Sequence, residues 1–65
     1  MNEGFVLWFN KIKGYGFIEN KNNKEHLFVY HRDIKDFKFL EKNDEVFFEI
    51  INGEKGKKAI NVRKK

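Results

Sequence analysis

The chain has 65 residues, of which 17% are aromatic, and a formal net charge of +4 at pH 7. A chain of this length forms one domain, here residues 1–65, with a small core worth roughly 3–5 kcal/mol of net stability. It contains no cysteine, serine or threonine, so disulfides and the usual nucleophiles are excluded. We therefore expect no enzyme, no cofactor and no metal site.

Neither a membrane span nor a secretory signal is expected. No apolar run approaches the ~20 residues that a transmembrane helix needs. The first residues, "MNEGFVLWFN", lack the basic region of a signal peptide. These features predict a cytoplasmic protein with no membrane partner. The basic charge permits a polyanionic partner.

Five short segments are typical of β-strands. They are 4–10, 14–20, 26–31, 44–51 and 59–63. Because proline is absent, Gly, Asn and Asp must make the turns, as in "KNNKE" (21–25) and in the expected loop "NGEKGKK" (52–58). This spacing predicts an all-β meander or barrel. In the connection 33–43, apolar residues recur every three positions, which suits one helical turn or a loop.

Alternation along the predicted strands separates an aliphatic face from an aromatic one. The predicted core consists of Ile18, Leu27, Val29, Val46, Phe48, Ile50, Ile60 and Val62, with Val6 and Ile34. In the second strand Tyr15 and Phe17 point to the opposite face. We place Gly16 inward, and expect Gly14 on the outer face to let a base or backbone come close.

The outward aromatic rings need an explanation. Each aromatic side chain presents ~150–250 Å², and four on neighbouring strands exceed the few hundred Å² that a monomer usually exposes. Either the 33–43 segment or a partner covers them, or they form a stacking platform for flat ligands such as bases.

Three strings resemble the cold-shock domain of bacterial cold-shock proteins: "WFN", "KGYGFI" and "LFVYH". The similarity covers essentially the whole chain. "KGYGF" alone also resembles RNA-recognition motifs, but that fold needs two helices and a longer chain. The resemblance implies a five-stranded antiparallel OB-fold barrel that binds single-stranded RNA and single-stranded DNA. It also implies an RNA chaperone that needs no ATP.

The resemblance also implies which residues bind. The family's two motifs on the second and third strands fall on Lys13, Tyr15, Phe17, Phe28, Tyr30 and His31. Its platform further includes Trp8 and a loop phenylalanine, here Phe37 with Phe39 as the alternative. Phe9 and Asn10 match the family too, and for Phe9 a structural role competes with a binding role. Lys11 beside the platform is a candidate for phosphate contact.

The departures from the family concern charge. Phe5 and Leu7 stand where the family usually has lysines, which leaves the apolar run "FVLWF". Lys57, with Lys58, Lys55 and Arg32, partly restores the positive charge. The apolar run supports an alternative function, a protein-interaction or self-associating module that uses the same aromatic face. We expect a monomer, and leave open a strand-swapped dimer.

Overall fold

The computed structural model describes residues 1–35, 39–54 and 56–65 of the protein. These residues form the strands β1 (Asn2–Asn10), β2 (Tyr15–Asn20), β3 (His26–Tyr30), β4 (Glu45–Gly53) and β5 (Gly56–Lys64). A 3₁₀ turn, His31–Asp33, follows β3. These described ranges contain no α-helix, so the all-β prediction is confirmed.

The five strands close into a barrel in the order β1–β2–β3–β5–β4. β1 pairs antiparallel with β2 and with β4, and the pairs β2–β3 and β4–β5 are also antiparallel. Only β3 and β5 run parallel, with Phe28 opposite Lys58 and Val29 opposite Ala59. One parallel pair is unavoidable, because an odd number of strands in a ring cannot alternate in direction at every contact. A closed barrel of this kind is the architecture of the OB-fold.

The barrel encloses a cluster of apolar side chains. Its buried members are Val6, Ile18, Leu27, Val29, Ile34, Leu40, Val46, Phe48, Ala59 and Val62. Phe9 and Ile50 are partly buried and pack against this cluster. The alternation in β2 and β3 therefore predicted the inward residues of these strands correctly. Leu40, which the predicted core lacks, comes from the connection before β4.

The prediction that Ile60 belongs to the core is wrong. β5 has one extra residue opposite β4, because Asn61 and Val62 together lie opposite Phe48. Asn61 takes the left-handed conformation, with φ of 50°. This β-bulge interrupts the alternation, so Ala59 and Val62 are both buried while Ile60 is only half-buried.

The connections on either side of β4 differ from the predicted ones. A 3₁₀ turn covers 31–33 and so overlaps the predicted 33–43 segment only at Asp33. Residues 36–38, in the middle of that segment, lie outside the described residues. At the other end, Gly53 pairs with Gly56, so the turn is shorter than the predicted 52–58 loop. Lys57 and Lys58 consequently belong to β5. Lysine is a weak strand former, but pairing with β4 overrides that preference.

Two further observations apply to the part of the chain that the structure describes. It contains no helix long and apolar enough to cross a membrane. It also contains no group of three or more His, Cys, Asp or Glu side chains that could hold a metal ion.

Candidate nucleic-acid interface

Outward-facing rings line up across three neighbouring strands. Trp8 of β1 lies opposite Phe17 of β2, which in turn lies opposite Phe28 of β3. Beside this row, Tyr15 of β2 lies opposite Tyr30 of β3. We call these five residues the aromatic strip. Trp8 is exposed and the other four are half-buried.

The rings of the aromatic strip contact one another. The ring centroid of Trp8 is 5.5 Å from that of Tyr15 and 5.5 Å from that of Phe17. Phe28 meets Phe17 nearly at right angles at 5.8 Å. It also lies nearly parallel to Tyr15 at 5.7 Å and to Tyr30 at 6.3 Å. Favourable aromatic pairs have centroids about 4.5–7 Å apart, so these rings hold one another in position.

A bulge in β1 brings Trp8 to the outer face. Val6 is fully buried and lies opposite Ile18, whereas Trp8 lies opposite Phe17, the very next position of β2. β1 therefore has one extra residue, Leu7, at this point. Strict alternation from Val6 would point Trp8 into the core. With the bulge, Trp8 joins the strip and is 43% exposed.

Gly16 lets β1 and β2 approach each other behind the strip. A Cβ atom at this position would lie 2.2 Å from the carbonyl oxygen of Trp8 and 2.9 Å from the ring of Phe9. Gly16 is buried, as expected of an inward position. A side chain here would push β1 away from β2, and the rings of the strip would separate.

Gly14 makes room for His31. Its φ is +75°, and a Cβ atom would lie 2.6 Å from Cδ2 of the His31 ring. The backbone N–H of His31 donates to the Gly14 carbonyl oxygen at 2.8 Å. The space that we expected for a base or backbone is thus taken by the side chain of His31. The imidazole is placed 4.7 Å from the Tyr30 ring, at the end of the strip.

Part of the aromatic strip forms one wall of an open cleft of about 780 Å³. Phe17, Phe28 and Tyr30 line this wall beside His26. The rest of the cleft is lined by Arg32, Gly53, Glu54, Gly56, Lys57 and Lys58. The cleft therefore combines surfaces on which flat groups can stack with cations that can bind phosphate.

His26 and Lys58 also line the cleft; the resemblance implied no binding role for either, although Lys58 was named as a compensating charge. His26 bonds through Nε2 to a carboxylate oxygen of Glu19 at 3.2 Å. Alternation would have found His26, because it lies two residues before Phe28 on the same face. Lys58 reaches the cleft because β5 pairs with β3 in parallel. The sequence carries no signal for that pairing.

Arg32 is fixed at the cleft by an aromatic contact. Its guanidinium carbon lies 5.0 Å from the centroid of the Tyr30 ring, a distance typical of a cation–π interaction. Arg32 thus presents its donors beside the strip, while Lys55, named with it as a compensating charge, lies outside the described residues.

A smaller cavity of about 250 Å³ brings together other predicted residues. Lys11, Lys13 and His31 line it, together with Ile12, Gly14 and Phe39. The Lys11 ammonium forms a salt bridge with Glu41. Phe39 is 45% exposed, while Phe37, the preferred candidate for the loop phenylalanine, lies outside the described residues.

Phe9 and Asn10 are placed in structural contacts. Phe9 packs against the core cluster. The side-chain oxygen of Asn10 accepts hydrogen bonds from the backbone N–H groups of Ile12 and Lys13, at 3.0 and 2.9 Å. Asn10 thereby shapes the turn that leads into β2, a frequent role of asparagine in turns.

The shifted pKa values belong to ion pairs away from the cleft. The hydrogen bond from the Lys65 ammonium lowers the pKa of the Glu3 carboxyl, and the same contact raises the pKa of Lys65. Desolvation pulls the pKa of Asp44 upward, but hydrogen bonds from the Glu41 backbone N–H and from Lys64 lower it overall. These ion pairs stabilise the barrel and do not form part of the cleft.

The closed five-stranded barrel, with outward rings on its second and third strands, defines a class of protein, the OB-fold. A sequence model described as the 'Cold-shock' DNA-binding domain matches residues 2–65. The chain is 47% identical to the major cold shock protein of Micrococcus luteus and to cold shock protein CspB of Bacillus caldolyticus, each over 98% of both chains. It is 48% identical to cold shock-like protein CspI of Escherichia coli strain K12, over 91% of this chain and 87% of that one.

The protein therefore belongs to the cold-shock domain family, as its sequence motifs predicted. This is a family of nucleic-acid-binding domains.

Proposed function

We propose that this protein binds single-stranded RNA and single-stranded DNA by stacking their bases on the aromatic strip. The observation that carries the proposal is the row of outward rings from Trp8 through Phe17 to Phe28, along a cleft that also holds cations. Family membership supports nucleic acid as the ligand.

Stacking explains a preference for single strands. Unpaired bases present both π-faces, and each base stacked on an aromatic side chain contributes ~1–3 kcal/mol. A duplex hides those faces between its own base pairs. Duplex DNA should therefore bind much more weakly than a single strand of the same length.

The same physics supports a role as an RNA chaperone that needs no ATP. Several weak stacks together stabilise the open form of a marginal hairpin, and each stack breaks readily, so the RNA is released quickly. The protein then prevents or melts RNA secondary structure without hydrolysing ATP. We further propose that it acts in the cytoplasm and has no catalytic activity.

Trp8 provides a direct test, because it is the only tryptophan of the chain and belongs to the aromatic strip. We expect saturable quenching of its fluorescence by oligo-dT and oligo-U, with an affinity that falls modestly as salt increases. An absence of quenching, together with a dimer in sedimentation, would instead support the self-associating module.

A further inference from the structure

Two lysines of the cleft are each partnered by a carboxylate of the same chain. The Nζ atom of Lys57 lies 3.2 Å from a carboxylate oxygen of Glu25, and that of Lys58 lies 3.7 Å from Asp33. Both lysines line the cleft, and Lys58 lies opposite Phe28 in the pairing of β3 with β5. In the unbound protein these cations already have anionic partners.

The carboxylates are less exposed than the lysines they hold. The exposed fractions of the side chains are 33% for Glu25 against 51% for Lys57, and 20% for Asp33 against 31% for Lys58. One oxygen of each carboxylate is buried without a hydrogen bond to any described residue. In Asp33 it is Oδ2, the oxygen that faces Lys58, whereas in Glu25 it is Oε1, and the other oxygen, Oε2, faces Lys57. A partly buried carboxylate of this kind relies on a nearby cation for compensation. The lysine is therefore attracted to its carboxylate as well as to a ligand.

Arg32 differs from these lysines. It lies over the ring of Tyr30 and forms no ion pair with a carboxylate of the described residues. No described carboxylate therefore competes with a phosphate for Arg32, whereas Lys57 and Lys58 each have such a competitor.

We infer that Glu25 and Asp33 act as internal competitors for phosphate. A phosphodiester of a bound strand must take Lys57 from Glu25 and Lys58 from Asp33, so one anion replaces another at each lysine. This inference rests on the proposed binding of single strands in the cleft. Its consequence is that the two carboxylates lower the affinity of the protein for a single strand and speed the release of that strand.

The test compares Glu25→Gln with Glu45→Gln. Both changes remove one negative charge, but Glu45 pairs with Lys65 at 3.5 Å and does not line the cleft. The affinity for oligo-dT is measured by Trp8 fluorescence in 50 mM salt. Exposed ion pairs have small interaction energies, so we expect Glu25→Gln to bind roughly 1.5- to 5-fold more tightly than Glu45→Gln.

A double-mutant cycle assigns the effect to the lysine. In a Lys57→Met background, Glu25→Gln should have no more effect than Glu45→Gln, because the cation for which the carboxylate competes is gone. Asp33→Asn with Lys58→Met forms a second, independent cycle. It tests the same competition for phosphate if a variant of the first cycle fails to fold. Thermal unfolding of every variant checks the fold.

The outcomes separate the inference from the proposed function. Equal affinities of Glu25→Gln and Glu45→Gln, or weaker binding by Glu25→Gln, would overturn the competition while leaving the binding of single strands in place. A wild-type protein that binds no oligo-dT would overturn the proposed function and the competition together.

Discussion

Two outward surfaces of the barrel carry phenylalanine, and their rings have very different neighbours. On β1–β3, the rings of the aromatic strip contact one another, and those of Phe17, Phe28 and Tyr30 line an open cleft. On β4, the ring of Phe47 lies under the Lys65 ammonium, 5.6 Å from its centroid. The carboxylates of Glu3 and Glu45 lie 3.0 and 3.5 Å from that ammonium. We call this second region the ionic surface.

The difference shows that an outward aromatic residue does not by itself make a binding surface. Across the strands, Phe17 has another ring, Phe28, as its partner. Phe47 instead lies opposite Glu3 and Arg63. Neighbouring rings support one another and leave faces for a ligand, whereas ion pairs cover the ring and tie it into the barrel. We therefore expect the strip to govern binding and the ionic surface to govern stability.

The largest effect is expected from Phe28→Ala. Loss of one stacked base costs ~1–3 kcal/mol, which is roughly a 5- to 150-fold loss of affinity for oligo-dT. Phe47→Ala removes the same side chain from the ionic surface and should leave the affinity unchanged. Fluorescence titration of both variants measures the difference.

The fold must survive both substitutions for this comparison to hold. Circular dichroism and thermal unfolding provide the check. If Phe28→Ala unfolded the barrel while its folded fraction kept full affinity, Phe28 would be a packing residue and the strip would not be the site.

A smaller effect is expected from Arg32→Met. Removing one phosphate contact reduces the slope of log affinity against log salt by ~0.7 for a single strand. Lys42→Met deletes an equal charge at an exposed position outside the cleft and should not change the slope. Titrations between 50 and 200 mM salt compare the two. A slope unaffected by Arg32→Met would remove Arg32 from the site.

The smallest effect is expected from Glu3→Gln, and on stability alone. The folded-state pKa of Glu3 lies below its ordinary value of 4.5 because of Lys65. The stabilisation is therefore fully present above about pH 4.5 and is lost as the pH falls through the lower folded-state pKa. The pKa of Lys65 is raised above 10.5, so the contribution also disappears as the pH rises through that raised value.

Thermal unfolding of wild type and Glu3→Gln at pH 7 and pH 3 measures this contribution. The wild type should unfold at a slightly higher temperature at pH 7, and the difference should shrink at pH 3. Affinity for oligo-dT should be the same for both proteins. A loss of affinity in Glu3→Gln would mean that the ionic surface takes part in binding.

Regular alternation predicted the parts of the fold that pair regularly. In β2 and β3 the inward Ile18, Leu27 and Val29 and the outward Phe17 and Phe28 lie where the period of two puts them. The bulge that turns Ile60 away from the core could not be predicted this way. A bulge depends on how a partner strand is paired, and one strand's sequence does not contain that information.

The candidate site likewise contains residues that alternation predicts and residues that it does not. The outward rings of β2 and β3 follow from alternation, but alternation alone places Trp8 inward, and only the family resemblance put it in the strip. Lys58 joins the cleft because the ring of strands closes with one parallel pair. Such a contact joins residues far apart in the chain, and local patterns cannot reveal it.

The most direct test of stacking on the strip compares two ligands with equal numbers of phosphates, oligo-dT and an abasic oligonucleotide of the same length. Calorimetry measures both affinities without relying on Trp8. We predict that the abasic strand binds at least about 30-fold more weakly, the equivalent of two of the weakest stacks. Equal affinities would show that phosphate contacts alone hold the strand, and would contradict base stacking on the aromatic strip.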